Sequence, residues 1–282
     1  MSNYGEYNTK ELKKLQKVLT EMLKDVNYVC DKYKIDYFAL DGTGIGAMRH
    51  KGFIPWDDDI DLRFFEDDLN RFIECMSKEM PDKYYFIDID NSGYPVAFTK
   101  MCKKGTLFLD DISKELGLEN GIFIDLIRMV YVSEDEKTRK KAFKKSWIIY
   151  KLGTICAIKN PSISIKGIKG KVLKVFFVIL HYLMKLLHVS YKKLFYKGEK
   201  AVRVDHKTSK TISLNTVKMY SYLFNTEDFY PKKKIKFEDT FVYVPEKIDK
   251  LLTGQFGDYM KLPPKDKRHN HYPCKIDFDY KK

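Results

Sequence analysis

Asp57, Asp58, Asp59 and Asp61 place four carboxylates in five consecutive positions, within Ile54-Pro55-Trp56-Asp57-Asp58-Asp59-Ile60-Asp61-Leu62. Carboxylates this close repel one another at low dielectric, so a half-buried cluster needs a cation. Ile60, Leu62 and Phe64 predict a strand from Ile60 to Phe65 that buries part of the cluster. Residues i and i+2 of a strand share a face, so Asp59 and Asp61 can hold one metal while Ile60 enters the core. Asp57 shares that side only if the strand already starts at Trp56. Asp58 points away or caps the strand, and both acids are read as supporting. A third acid, Asp125, interrupts the apolar run Gly121-Ile122-Phe123-Ile124-Asp125-Leu126-Ile127. A lysine partner or a turn cap would satisfy it. The metal is the preferred reading, since buried charges are paired or coordinate metals.

Just upstream, Asp36 to Leu40 predicts a short strand running into Asp41-Gly42-Thr43-Gly44-Ile45-Gly46-Ala47, read as a tight glycine turn. Gly42-x-Gly44-x-x-Ala47 fits the dinucleotide fingerprint as written, with Asp61 downstream. The crossover helix would have to fit between Ala47 and Ile60, an interval broken by Gly52 and Pro55 that leaves about two turns. That reading also leaves the other acids unexplained. In the second reading, the amides around Gly42, Thr43 and Gly44 and the Thr43 hydroxyl hold a phosphate, and the neighbouring carboxylates hold the cation that bridges to it. Mg²⁺ suits such a site, with Mn²⁺ as an alternative.

These residues need a scaffold, and the rest of the chain predicts one. Leu12, Leu15, Leu19, Met22, Val26, Val29 and Tyr33 mark an amphipathic helix over 8–33, behind an Asn8-x-x-Glu11 capping pattern. A helix from Glu66 to Met80 follows the acidic strand. Tyr84 to Ile89 and Val96 to Lys103 form a hairpin about Asn91-Ser92-Gly93. Helices are expected from Asp135 to Ile158, broken at Asn160-Pro161, and from Gly170 to Tyr196. A strand, Thr240 to Val244, and a helix, Glu246 to Phe256, precede an irregular tail. The expected class is α/β (α+β), a mixed-sheet core with a mostly helical addition. The expected segments are a catalytic core over 1–132, a basic helical part over 133–236, and a C-terminal part over 237–282 that returns to the site.

The chain has 282 residues, is 44% hydrophobic and so has the means to bury a core. Five scattered cysteines form no Cys-x-x-Cys pair, which speaks against zinc or redox work. The opening MSNYGEYNTKELKK lacks a signal pattern, so a cytosolic chain is expected.

Leu40 to Leu62, read as LDGTGIGAMRHKGFIPWDDDIDL, resembles nearly residue for residue the signature of the LicD family, to which fukutin and fukutin-related protein are related. The resemblance extends to Lys100 to Thr106, to Gly121 to Leu126, and to Phe256 to Pro264 with Arg268 and His271. It implies a nucleotidyltransferase-type fold that grips a nucleotide diphosphate through Mg²⁺. It implies transfer of phosphocholine from CDP-choline, or of a related group such as that of CDP-ribitol, to a hydroxyl of a teichoic acid, lipopolysaccharide or capsule. Carried onto this chain, Asp59 and Asp61 become metal ligands, and Asp125 a shared ligand or the base for the acceptor hydroxyl. Arg49 and Lys100 become phosphate contacts, His50 and Lys51 read equally well as surface residues, and Arg268, His269 and His271 close over the site from the tail. Gly44 departs from the pattern, standing where relatives commonly have a larger apolar residue. A choline group would need an aromatic cage, which no pattern here locates.

Charge is uneven along the chain. The net charge is +13, yet residues 137–200 hold 17 Lys and Arg against one acid, Glu199, so this segment carries +16 and the remainder −3. Lys171, Lys174, His181, Lys185, His188 and Lys192 recur at helical spacing among apolar residues. The longest charge-free run, Val175 to Met184, is far short of the ~20 residues of a bilayer span. Residues 166–200 therefore read either as a helix lying on an anionic membrane surface or as a core helix with a lysine edge. A lipid-linked glycan acceptor at the inner face of the membrane is the expected setting, and nucleic acid is not expected, as no binding motif accompanies the charge.

Overall fold

Asn8 starts the first helix by accepting the Glu11 amide on its side chain at 2.9 Å, as the capping pattern predicts. In this computed structural model, which describes residues 7–95, 98–159, 167–214 and 222–281, that helix, α1, spans Thr9–Tyr33. It buries Leu15, Leu19, Met22, Val26 and Val29 at helical spacing. There follow β1 (Phe38–Ala39), α2 (Asp41–His50), β2 (Asp61–Phe65), α3 (Glu66–Glu79), β3 (Tyr84–Ile87), β4 (Thr99–Lys103), β5 (Leu107–Leu109), α4 (Asp111–Leu116) and β6 (Phe123–Tyr131). The second half adds α5 (Glu136–Ala157), α6 (Gly167–Leu186), α7 (Tyr191–Val202), β7 (Thr211–Leu214), β8 (Leu223–Asn225), β9 (Lys233–Phe237), β10 (Thr240–Val244), α8 (Ile248–Phe256) and β11 (Lys275–Asp277).

The fold is mixed α/β. Its central sheet runs β1-β2-β6-β4-β3, with β7 pairing β6 and β8. β2 and β6 are parallel, and β4 lies antiparallel along the other edge of β6. β1 and β2 are antiparallel, so α2 is not the crossover helix of a dinucleotide-binding unit, in keeping with the short interval before β2. Phe237, Val242, Val244, Ile248, Leu251 and Leu252 share one core with Leu15, Leu23, Ile60 and Leu62. The C-terminal residues are thereby fastened to the elements that carry the acids.

Several local expectations change. The glycines form the first turns of α2 and not a tight turn, because the ladder continues: the Gly44 amide donates to Leu40 at 2.9 Å. β2 starts at Asp61, which leaves Asp57 to Ile60 in an irregular segment, so strand alternation does not set the placement of Asp59. The helix expected over Gly170 to Tyr196 is two helices, α6 and α7, parted at 187–190. Residues 211–214 and 223–225, expected in the helical part, extend the central sheet as β7 and β8. Val96, Ala97 and the break at Asn160-Pro161 lie outside the described residues.

α2 packs so closely on the chain after it that a Cβ on Gly46 would collide with the Gly52 carbonyl. Backbone, unlike a long side chain, cannot swing away. Gly46→Ala is expected to destabilise the protein by about 1–3 kcal/mol in urea unfolding. A loss too small to resolve would contradict this packing.

Candidate active site

The register of the sheet brings three charged residues abreast. Asp61 of β2 pairs with Asp125 of β6, and Asp125 pairs with Lys100 of β4. Residues in register on neighbouring strands lie about 5 Å apart, which draws both acids and the lysine to one place. Lys100 Nζ donates to Asp125 Oδ1 at 2.8 Å, and both side chains are buried. The ammonium also lies 3.2 Å from the centre of the Phe123 ring. Asp125 thus has a lysine partner, and its charge is felt by Asp59 and Asp61.

α2 approaches this row from the side. The Asp61 amide donates to Thr43 Oγ1 at 2.9 Å, which ties the first turn of α2 to the start of β2. The hydroxyl hydrogen of Thr43 remains to be donated. A Cβ on Gly42 would meet Asp57 Oδ2 at 3.0 Å, so the Asp57 carboxyl sits over the N-terminus of α2 and glycine is needed beneath it. Gly44 N–H is already spent within the helix. The first-turn amides of Gly42 and Thr43 lack an intrahelical carbonyl, and they point out of a helix end with partial positive charge.

The acids themselves titrate abnormally. Burial, followed by Asp59 and Asp125, pushes the Asp61 carboxyl well above the ordinary carboxylate range. Asp57 is likewise pushed well up, by burial and then by Asp59 and Asp58. Asp59 rises to about 6, chiefly through burial, although His271 pulls it down. Asp125 is raised by burial against the opposing pull of Lys100. All of these groups are hard oxygen donors that repel one another. Such a set fits a hard divalent cation better than it fits zinc or a redox metal.

The tail closes on the same segment. The His271 amide donates to both Asp58 oxygens at 3.0 Å, while His271 Nδ1 lies 3.3 Å from Asp58 and 3.4 Å from Asp59. Its hydrogen bond to Asp58, with help from Asp59, raises the His271 imidazole to about 9, so it is a cation at neutral pH. Among the described residues, donor atoms of Asp58, Asp59 and His271 lie within 4.8 Å of one another, and those of Asp59, Asp61 and Asp125 are not drawn so close. An imidazolium is no ligand, so His271 itself supplies the positive charge in the closer group. Lys100 and His271 each lie against one oxygen of an acid expected to bind metal.

Other predicted residues lie elsewhere. Arg49 is at the C-terminal end of α2, some 10 Å along the axis from Gly42. Its guanidinium donates to the Tyr259 carbonyl at 2.6 Å and to His50 Nε2 at 2.9 Å, so it fastens the tail. Burial and the nearby Arg268 lower its pKa. Arg268 lies over the Trp56 ring at 4.5 Å, beside the acidic segment. His269 and Lys51 are exposed. Asp58 is the residue whose role the sequence concealed. Its side chain is fully buried and clamps the tail, and a run of three aspartates with a fourth two residues on gives no pattern that would single it out.

The family described as LicD/FKTN/FKRP, nucleotidyltransferase domain, matches residues 34–153, a span that contains α2, the acids and Lys100. The chain is 27% identical over 269 residues to the lipopolysaccharide cholinephosphotransferase LicD of Haemophilus influenzae, covering 93% of this chain and 96% of that one. It is also 30% identical over 100 residues to an uncharacterised protein of Rickettsia prowazekii, 34% of each chain. An uncharacterised protein of Rickettsia typhi is 39% identical over 70 residues, 25% of this chain and 22% of that one.

Proposed function

Because the chain carries a nucleotidyltransferase domain of the LicD family, we propose that it transfers phosphocholine, or a related phospho-alcohol, from a CDP-activated donor to a hydroxyl of a cell-surface glycan. The glycan is a lipopolysaccharide, as the Haemophilus relative's name indicates for that protein, or a teichoic acid precursor. The observation that carries the reading is the row Lys100, Asp125, Asp61 across three strands, set against the N-terminus of α2 with Asp57 and Asp59 beside it.

Each part has a task in such a transfer. Gly42 and Thr43 amides and the Thr43 hydroxyl bind donor phosphate oxygens at the helix start. Asp59, Asp61 and Asp125 are the residues that would hold Mg²⁺, which when bound neutralises charge on the diphosphate and the departing CMP. Lys100 occupies one oxygen of Asp125, so the other either shares the Mg²⁺ or is the base that accepts the proton of the acceptor hydroxyl. The acceptor oxygen bonds to the phosphorus that bears the alcohol, and the bridging bond to CMP breaks, so phosphocholine-glycan, CMP and one proton result. Lys100 holds Asp125 in place and limits the negative charge of the site. His271 and Arg268, carried by the tail, close the side next to Trp56.

Incubation with Mg²⁺ and, separately, CDP-choline, CDP-ribitol, CDP-glycerol or CTP tests the reading. CMP released from a CDP-alcohol is the expected result, and the responding alcohol identifies the donor. Pyrophosphate from CTP without CMP from any CDP-alcohol would replace the proposal with nucleotidyl transfer.

A further inference from the structure

α6 presents an apolar face to solvent. Val172, Val175, Phe176, Ile179, Leu183 and Leu186 are 47–74% exposed. At 100° per residue they fall within one arc of about 100°. The opposite side of the helix is the packed one: Gly170, His181 and Met184 are buried, and His181 Nδ1 lies 2.9 Å from the Ile155 carbonyl of α5. The outward apolar arc is thus not the core face of this helix. Among the described residues nothing covers it.

The charge beside this arc indicates what covers it. On the helical wheel Lys171 lies beside one edge of the arc and Lys169 beside the other, while Lys174 and Lys185 are exposed further round, next to the packed side. Lys192, Lys193, Lys197 and Lys200 continue the basic surface onto α7. From Lys137 to Lys200 the single acid, Glu199, is paired with Arg128 and Arg203; Asp90 lies against Lys192 and Tyr196 of α7, and among the described residues the lysines of α6 have no carboxylate partner. An apolar strip flanked by Lys169 and Lys171 on a helix without acids suits neither water nor another basic copy of the same helix. It suits the boundary of an anionic bilayer, where acyl chains take the strip and lipid phosphates take the lysines.

We propose that α6 docks this protein on an anionic lipid leaflet, lying in the plane of the interface. It does not cross: among the described residues no single helix is long and apolar enough, and α6 and the helical stretch after it, which together pass by length and composition, are bent by 103°. The docked helix sets the adjacent loop near the headgroups, for Tyr191 at the start of α7 donates to the Gly93 carbonyl at 3.1 Å, next to Tyr94, whose ring lies 5.9 Å from Lys100 Nζ. The inference concerns binding alone and stands whichever donor the active site uses.

Co-sedimentation of the full chain with vesicles of phosphatidylcholine, alone or mixed with phosphatidylglycerol, tests it. The protein is expected to pellet with the mixed vesicles and to stay in solution with the neutral ones. Phe176→Ser/Ile179→Ser should lower partitioning about tenfold or more. Lys169→Glu/Lys171→Glu should remove the preference for the anionic vesicles. Should the first pair unfold the chain, Val172→Ser/Leu186→Ser repeats the test on the same arc. Failure of the native protein to bind either vesicle overturns the proposal, as does undiminished binding by the folded apolar variants. Concentration-dependent dimers that Phe176→Ser/Ile179→Ser abolishes, without vesicle binding, would assign the face to a second copy and also overturn it.

Discussion

Asp61→Asn is expected to lower CMP release from the donor by about 10²–10³-fold while raising the unfolding temperature of the metal-free protein at pH 7. The first effect follows from removing an anionic ligand from the centre of the charged row. The second follows from the cause of its titration: burial and three neighbouring acids hold the Asp61 carboxyl well above its ordinary range. A carboxyl whose pKa is raised on folding binds protons more tightly in the folded state, so its ionisation destabilises the fold as pH rises through that range. Asparagine has the same shape and no charge to remove from water.

The native protein should show the same linkage. Without divalent cations it should be more stable at pH 5 than at pH 7, because Asp59, raised to about 6, must ionise across that interval. His271, raised to about 9, acts in the same direction further up: its stabilising charge is complete below its ordinary value and is lost as pH climbs through 9. Surface carboxylates lowered by lysine partners, such as Glu74 and Glu227, matter only nearer pH 4, outside this window. Thermal unfolding in a chelator at pH 5, 7 and 9, repeated with Mg²⁺, measures both parts. A chelated wild type that unfolds at one temperature from pH 5 to 7, matched by Asp61→Asn, would refute the assignment of a mutually repelling site. Mg²⁺ should restore most stability where the acids are ionised, at pH 7 and above.

Lys100→Met carries the largest expected cost in stability. Removing one partner of a buried ion pair leaves the other charge uncompensated, which costs about 3–5 kcal/mol. Here the orphan would be Asp125, already facing Asp61 and Asp59. The cost should shrink as pH falls, because Asp125, already raised by burial, can then take up a proton. It should also largely vanish in Lys100→Met/Asp125→Leu, since an apolar pair of similar volume can replace a buried ion pair. Urea unfolding of the two single variants and the double variant at pH 7 measures the coupling. A Lys100→Met protein within about 1 kcal/mol of wild type would show that Asp125 is satisfied by something other than Lys100.

Much of this arrangement was legible in the chain. The spacing of Leu15, Leu19, Met22 and Val26 specified α1 because a helix repeats every 3.6 residues, and those side chains are indeed the buried ones. The acids Asp59, Asp61 and Asp125 were conspicuous because charge in an apolar run needs a partner. Less legible was how Asp59 arrives. Strand alternation assigned it to the face of Asp61, yet β2 starts at Asp61 and a loop delivers Asp59. The resemblance makes Arg49 a phosphate contact, but a ten-residue helix carries it away from Gly42 and onto the Tyr259 carbonyl.

By itself the sequence determined which residue types stand at which local spacing, and therefore α1, α3, α5 and α8, the strands β1 to β4 and β10, the acidic segment and the family resemblance. Only the tertiary structure decided the partners. Lys100 meets Asp125 across 25 residues through strand register, and Asp58 meets His271 across 213 through the returning tail. It also decided which way α6 faces. A wide apolar surface on a lysine-edged helix is compatible with a core or with an interface, because periodicity specifies a face and not what lies opposite it. That is settled by where neighbouring elements pack, and α5 takes the side of Gly170, His181 and Met184 and leaves the other to solvent.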